Sequence, residues 1–175
     1  MKVCILSDSH DHIPLLDYAV GQAIAEGAEA VLHCGDVVAP STLHCLIKYQ
    51  IPVHVIHGNN SGDLYTLGML ANKENPIVYH GMDAGITLAE RRIFLVHYPH
   101  YARAMAATGD WDLVCCGHSH KVRFTQIPNI RGGTTHLVNP GTIGGVAKAP
   151  ATYLLADLET LEFHVREIPK SIEHQ

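Results

Sequence analysis

Short apolar runs recur along the chain, and five of them end in aspartate, asparagine or histidine. Such runs are typical of buried strands, and the carboxyl ends of parallel strands meet at one edge of an open sheet, where ligands usually bind. The polar residues that follow the five runs are Asp8, His10, Asp36, Asn59, His97, His118 and His120. This pattern predicts that the five strand ends converge on one site.

The first half of the chain alternates apolar runs with segments of helical periodicity. Strands are predicted at 2–6, at 30–34 and after Pro52. The predicted helices are 14–25, which Gly27 ends, 41–49, with Ser41 as its N-cap, and 64–71. This order of elements predicts parallel strands joined by right-handed crossovers.

The second half has the pattern of short strands separated by turn residues. The predicted strands are 76–79, 85–89, 92–96, 113–116, 122–127, 135–138, 152–157 and 162–167, with a helix at 101–107. Residues 82–85 and 90–91 are predicted turns. The predicted fold class is therefore α/β (α+β): two mixed sheets packed face to face, with helices on the outer faces, in one domain over 1–175.

Composition narrows the class of protein. Hydrophobic residues make up 47% and charged residues 17%, a balance that argues against disorder. The net charge is -5 and there is no long basic run, so binding of nucleic acid through a broad positively charged surface is not expected. No apolar segment approaches the ~20 residues needed to span a bilayer, so no membrane segment is expected. Five cysteines without C-x-x-C spacing, and no signal-peptide pattern, predict reduced thiols in a cytoplasmic protein.

Histidine is the outlier of the composition, with 14 in the chain, and imidazole is the commonest metal ligand. Two divalent ions about 3.5–4 Å apart can hold a hydroxide and stabilise a phosphate under attack. Such a centre needs carboxylates and imidazoles, with one carboxylate shared. Asp8 alone would be an ordinary turn or cap residue. All seven strand-end residues together favour a metal centre.

At this point the chain resembles a known family over nearly its whole length. The motifs that carry the resemblance are Asp8-x-His10, Gly35-Asp36, Gly58-Asn59, His97 and Gly117-His118-x-His120. They match the calcineurin-like metallophosphoesterases. The short length and the late Asn139-Pro140-Gly141-Thr142 are similar to the small bacterial and archaeal phosphodiesterase subgroup, whose fold the retromer scaffold subunit shares. The resemblance implies a four-layer α/β/β/α sandwich.

The resemblance also implies roles for the strand-end residues. The implied ligands are Asp8, His10 and His120 for a first metal, and Asn59, His97 and His118 for a second. Asp36 would bridge both ions, and a bridging hydroxide would attack phosphorus in line. Two divalent ions are implied, with Mn²⁺ as the first choice and Fe, Ni or Zn as alternatives. The implied partner is a small-molecule phosphoester, and homo-oligomers are common in this family.

Two positions depart from the family pattern. Many members place His or Asp directly after Gly-Asn, where it contacts phosphate or assists the leaving group, but this chain has Asn60. Close relatives read His-Gly-His where this chain reads His97-Tyr98-Pro99-His100. The candidate catalytic residues are therefore Asp36, Asn60 and His100, with Tyr98 as an alternative to His100. The missing acid favours phosphodiesters with activated leaving groups over phosphomonoesters.

Two other functions stay open at this point. One is a non-catalytic metal-binding scaffold on the same fold, and the other is a phosphomonoesterase or nucleotidase with the same metals. Among the other histidines, those predicted to be hydrogen-bonded in the core are His33, His54 and His57. Those predicted to lie on the surface are His44, His80, His164 and His174. Asp11 and His12 are candidates for the cleft, and Asn139-Pro140-Gly141 is either a turn or a loop beside His120.

Overall fold

The computed structural model describes residues 1–71, 74–146 and 149–172. Its strands, in chain order, are β1 (Lys2–Leu6), β2 (Ala28–His33), β3 (Val53–Val55), β4 (Ile77–Tyr79), β5 (Asp83–Leu88), β6 (Arg91–Val96), β7 (Leu113–Cys115), β8 (Val122–Pro128), β9 (Thr134–Pro140), β10 (Thr152–Asp157) and β11 (Glu162–Glu167). Its helices are α1 (Ile13–Ala25), α2 (His44–Ile47), α3 (Leu64–Ala71) and α4 (Pro99–Ala107), with a 3₁₀ turn at Pro40–Leu43 before α2.

The strands form two mixed sheets. The first has the order β11-β10-β1-β2-β3-β4, and the second has the order β5-β6-β7-β9-β8. β1 to β4 are parallel, as are β6, β7 and β9, and antiparallel strands complete the sheets. The carboxyl ends of the parallel strands in each sheet therefore lie at one edge.

Three layers of apolar contact hold the elements together. In β1, Cys4 and Leu6 face the helices of the first half, whereas Val3 and Ile5 pack between the two sheets. α4 covers the outer face of the second sheet, where Ala102 joins another buried cluster. These layers confirm the predicted α/β/β/α sandwich. None of the helices in the described residues has the length and apolar character needed to cross a membrane.

Several local predictions are wrong, among them those for residues 83–85 and for Ser41. Residues 83–85 belong to β5 rather than to a turn. Gly85 is needed inside this strand because a Cβ atom there would lie against the indole ring of Trp111. Ser41 is not an N-cap, since the helical turn begins at Pro40 with Ala39 at the capping position and no side-chain cap. All five cysteines are free thiols, as predicted.

Candidate metal centre

The loops that follow the parallel strands are tied to one another at one edge of the sandwich. The backbone N–H of Asp8 donates to the carbonyl of Gly35 at 2.9 Å, which joins the loops after β1 and β2. The N–H of Gly117 donates to the carbonyl of His97 at 3.0 Å, which joins the loops after β6 and β7. These bonds join the loops within each sheet, and the backbone N–H of His118 links the two sets of loops by donating to Oδ2 of Asp8 at 3.0 Å.

One group of ligand atoms comes from Asp8, His10 and His120, all within 4.8 Å of one another. The Nε2 atom of His120 lies 3.1 Å from Oδ1 of Asp8. The Nε2 atom of His10 lies 3.9 Å from the same oxygen and 3.7 Å from Oδ2 of Asp36. This group has the same three members that the resemblance implies for a first metal.

A second group comes from Asp8, Asp36 and His97, again within 4.8 Å. The Nε2 atom of His97 lies 3.4 Å from Oδ1 of Asp36. The side-chain oxygen of Asn59 lies 3.0 Å from His97 Nε2 and 2.8 Å from Nδ1 of His118. All seven predicted ligand residues thus lie in one cluster, with Asp36 between His10 and His97.

The orientation of His97 fits a cation at this point. Its Nδ1 lies 2.8 Å from the carbonyl oxygen of Cys34, which can only accept, so Nδ1 carries a proton. In the neutral ring, Nε2 then directs its lone pair at the oxygens of Asn59 and Asp36. A lone pair facing two oxygens is unfavourable unless a cation lies between them.

The buried charges of the cluster also fit a cation. The side chains of Asp8 and Asp36 are 0% and 1% exposed. Within the described ranges, neither carboxylate has a lysine or arginine nitrogen within 4.0 Å. The buried Nε2 atom of His10 has no hydrogen-bond partner in the described part of the chain. Buried carboxylates and a free imidazole nitrogen are the donor set of a divalent metal site.

Asn60 contacts Asp36 directly. Its side-chain amide donates to Oδ2 of Asp36 at 2.7 Å, and its backbone N–H donates to Oδ1 at 2.9 Å. Burial raises the pKa of Asp36, but these hydrogen bonds, with His97 and His10 nearby, bring its pKa below the usual value. Asp36 is therefore held as a carboxylate.

Five of the seven cluster residues have a left-handed backbone. Their φ values are 56° for Asp8, 43° for His10, 58° for Asp36, 66° for His118 and 54° for His120. Non-glycine residues seldom adopt this conformation, which costs of order 1 kcal/mol or more each. Such strain is typical of functional sites, and here the strained residues are ones whose side chains point into the cluster.

Glycines let the backbone come close to the two carboxylates. A Cβ atom on Gly58 would collide with Oδ1 of Asp36. A Cβ atom on Gly117 would lie 2.6 Å from Oδ2 of Asp8. The glycines of the Gly-Asn and Gly-His motifs are therefore required for steric reasons.

The segment Asn139–Thr142 forms hydrogen bonds to the backbone of two loops that carry cluster residues. The Thr142 hydroxyl donates to the carbonyl of Asp8 at 2.9 Å, and the Asn139 amide donates to the carbonyl of Gly117 at 2.7 Å. The turn prediction is wrong for Asn139 and Pro140, which belong to β9.

His33 is hydrogen-bonded in the core, as predicted. Its Nδ1 accepts from the N–H of Gly35 at 3.3 Å, and its Nε2 donates to the Ser9 hydroxyl at 3.1 Å. Burial, together with repulsion from His97, lowers the pKa of His33 to about 3. His33 therefore stays neutral and holds the loops after β1 and β2. No sequence pattern pointed to Ser9 or to the Cys34 carbonyl.

Other predicted positions have different surroundings. His80 is not a simple surface residue, because its half-buried ring stacks on that of His54, with 2.9 Å between nitrogens. Asp11 accepts from the backbone of Ala39 and from Thr42, so it fixes a loop. His12 accepts from the first turn of α1. His174 lies outside the described residues.

Tyr98 lies closer to the cluster than His100 does. The Tyr98 ring is 5.3 Å from the His97 ring and 5.1 Å from the His118 ring, between centroids. His100 is exposed in the first turn of α4, and its ring is 5.6 Å from that of Tyr98. Tyr98 therefore forms a wall of the cluster, and His100 lies at its rim.

The calcineurin-like phosphoesterase superfamily domain matches residues 1–161. The chain belongs to this family. A phosphodiesterase from Methanocaldococcus jannaschii is 28% identical over 173 residues, covering 96% of this chain and 98% of that protein. A solved archaeal phosphodiesterase superposes with a TM-score of 0.85 at 25% identity, over 96% of this chain and all of that one.

More distantly similar solved structures share the fold. Vps29 from Entamoeba histolytica, solved in complex with Zn²⁺, has a TM-score of 0.58 at 16% identity, over 96% of this chain and 98% of that one. At this identity the similarity shows a shared fold alone.

Proposed function

We propose that this phosphoesterase is a metal-dependent phosphodiesterase that hydrolyses small-molecule phosphodiesters. The observation that carries the proposal is the pair of ligand groups that share Asp8, with their ligand atoms within 4.8 Å in each group. The activity of the Methanocaldococcus jannaschii relative supports phosphodiesters as the substrate class.

The proposed ligands of a first metal are Asp8, His10 and His120, and those of a second are Asn59, His97 and His118. Asp36 would lie between the two ions. Oxygen- and imidazole-rich sites accept Mn, Fe, Ni and Zn, and Mn²⁺ is the first proposal. When bound, such ions polarise phosphoryl oxygens and lower the pKa of water.

Asn60 is proposed to position Asp36 and to have no role as an acid. Its amide already donates to Asp36 Oδ2 at 2.7 Å, and an amide has no proton to give a leaving group at neutral pH. His100 and Tyr98 are the remaining candidates for a group that assists the leaving alcohol. Substrates whose alcohols leave without full protonation are therefore favoured.

The proposal also covers the organisation of the protein. We infer one domain over residues 1–175, since the family match covers 1–161. A cytoplasmic location is supported by the five free thiols.

Hydrolysis of bis(p-nitrophenyl) phosphate by metal-stripped protein tests the function. We expect activity to appear only after Mn²⁺ is added, and to be lost in Asp36→Asn. Asp17→Asn, which removes a carboxylate paired with Lys48 outside the cluster, should keep the activity. Hydrolysis without metal would contradict the mechanism. Full metal occupancy without hydrolysis of any ester would instead favour a scaffold.

The matching monoester, p-nitrophenyl phosphate, separates the two enzyme classes. We expect its kcat/KM to be lower than that of the diester. Hydrolysis of a monoester dianion depends more on a general acid, and this site lacks one. The reverse order would indicate a phosphomonoesterase.

A further inference from the structure

A separate cavity of about 280 Å³ lies behind the segment that carries His118 and His120. Ser119, between these two histidines, lines the cavity, and α4, β8 and β9 form its other walls. Its floor includes the buried side chains of Cys116, Ile127 and Leu137. The volume is close to the lower end of small-molecule sites, roughly 300 Å³.

Three cationic side chains line this cavity: Arg103 on α4, Lys121 after His120, and Arg123 on β8. None of the three has a carboxylate within 4.0 Å in the described ranges, and the cavity-lining residues include no aspartate or glutamate.

The remaining arginines behave differently. Those that donate to a carboxylate or a backbone carbonyl are Arg91, Arg92, Arg131 and Arg166. The two arginines without such a partner among the described residues therefore both line the same cavity. In a chain with a net charge of -5, this local positive potential is a specific feature and does not reflect a general excess of cations.

A neutral hydrogen-bond donor completes the lining. The Asn139 amide donates to the Ser119 hydroxyl at 3.1 Å, so the hydroxyl proton of Ser119 remains free to donate towards the cavity. Arginine forks, an ammonium group and a hydroxyl donor over an apolar floor match a phosphate carried on a compact apolar body.

We propose that this cavity binds a small organic phosphate or phosphonate dianion, with its anionic head between Arg103, Lys121 and Arg123. The site is distinct from the metal cluster and does not depend on hydrolysis there. Because Ser119 lies between His118 and His120, a bound dianion contacts the segment that holds both imidazoles.

The test follows arginine Nε–Hε resonances in the ¹⁵N-labelled, Zn²⁺-loaded full chain during titration with phenylphosphonate, a dianion that cannot be hydrolysed. We expect saturable shifts of the Arg103 and Arg123 signals, assigned through single Arg→Gln variants. The signals of Arg131 and Arg166, which are paired with acids, serve as internal references and should not move. Benzyl alcohol, which is neutral, should produce no shift.

The double variant Arg103→Gln/Arg123→Gln should weaken phenylphosphonate binding at this site at least tenfold. Arg131→Gln/Lys170→Gln removes the same charge elsewhere and should bind normally. Absence of saturable shifts, equal shifts of all arginines, or equal binding by the two double variants would overturn the proposal. Because the readout is binding alone, failure of the phosphodiesterase assay would leave this result unaffected.

Discussion

His97 donates its Nδ1 proton to the carbonyl of Cys34 and directs Nε2 at Asn59 and Asp36. The hydrogen bond fixes both the tautomer and the plane of the ring. A ligand held in this way has a lone pair aimed at the site before any ion arrives. The backbone after β2 therefore determines how a side chain after β6 can bind.

Replacing Asn60 with alanine should lower the affinity for Mn²⁺ by about tenfold to a hundredfold, because Asp36 loses the 2.7 Å hydrogen bond that orients Oδ2. Calorimetric titration of the metal-stripped variant measures the change. Ser61→Ala is the control, since the Ser61 hydroxyl donates to the carbonyl of Gly58 and not to Asp36. Unchanged affinity for Mn²⁺ in Asn60→Ala would contradict the role of Asn60 in positioning Asp36.

Gly58→Ala should lower kcat/KM for a phosphodiester by at least about a hundredfold. The new methyl group would collide with Oδ1 of Asp36, and small displacements of this kind cost about 10²-fold. Steady-state kinetics with saturating Mn²⁺ checks the loss, and circular dichroism checks that the fold remains. Activity within twofold of the native protein would show that the carboxylate can move without consequence.

The sequence predicted the seven cluster residues because each follows an apolar strand, and parallel strands place their carboxyl ends together. It did not predict that Asn60 donates to Asp36, because that contact depends on the conformation of the loop after β3. The same holds for the bond between Ser9 and His33, whose partners lie 24 positions apart and belong to no shared motif.

At the scale of elements, β5 shows why composition misled the prediction. Asp83, Ala84 and Gly85 have the composition of a turn, yet they pair with β6 in regular antiparallel register. The deciding contact is the Trp111 indole, which fills the space above Gly85 and lies far away in sequence. Tertiary packing of this kind overrides local propensity.

Gly68 in α3 differs from Gly58 because there is room for a side chain at its position. Among the described residues, no atom outside the backbone of α3 itself lies within 4 Å of the position that a Cβ would take, and glycine is unfavourable inside a helix. Gly68→Ala should therefore raise the free energy of unfolding by roughly 0.5–1 kcal/mol and leave activity unchanged. Urea unfolding measures the gain, and a loss of stability would show that α3 packs differently.

The paired histidines of β3 and the end of β4 predict an acid-sensitive sheet edge. Burial, with repulsion from His80, lowers the pKa of His54 to about 4, whereas an unfolded histidine titrates near 6.5. As pH falls from about 6.5 to 4, the unfolded chain takes up a proton that the folded chain does not. The free energy of unfolding therefore decreases over this range.

His54→Gln should make that decrease shallower by up to about 1.4 kcal/mol per pH unit. Urea unfolding in EDTA at several pH values between 4 and 7.5 gives the slopes. His164→Gln, on the exposed face of β11, controls for the loss of an imidazole. Equal slopes in the native chain and His54→Gln would contradict the assignment.

For the whole molecule, metal binding should be visible as stability. A cation that binds the folded cluster but not the unfolded chain stabilises by about 2.7 kcal/mol per site at a hundredfold excess over Kd. We expect Tm to rise with Mn²⁺ in the native protein and to rise less in His120→Ala. A Tm independent of metal would show that the cluster does not bind it.

The left-handed backbone at Asp8 and Asp36 has an evolutionary consequence. Asparagine tolerates this conformation better than most other residues, because its short amide can bond locally. A single-nucleotide change from aspartate to asparagine would abolish a negative charge at either position without adding strain to the main chain. Proteins with this fold can thus lose hydrolase activity in evolution while they keep the fold. A hydrolase can then become a binding protein without first losing stability.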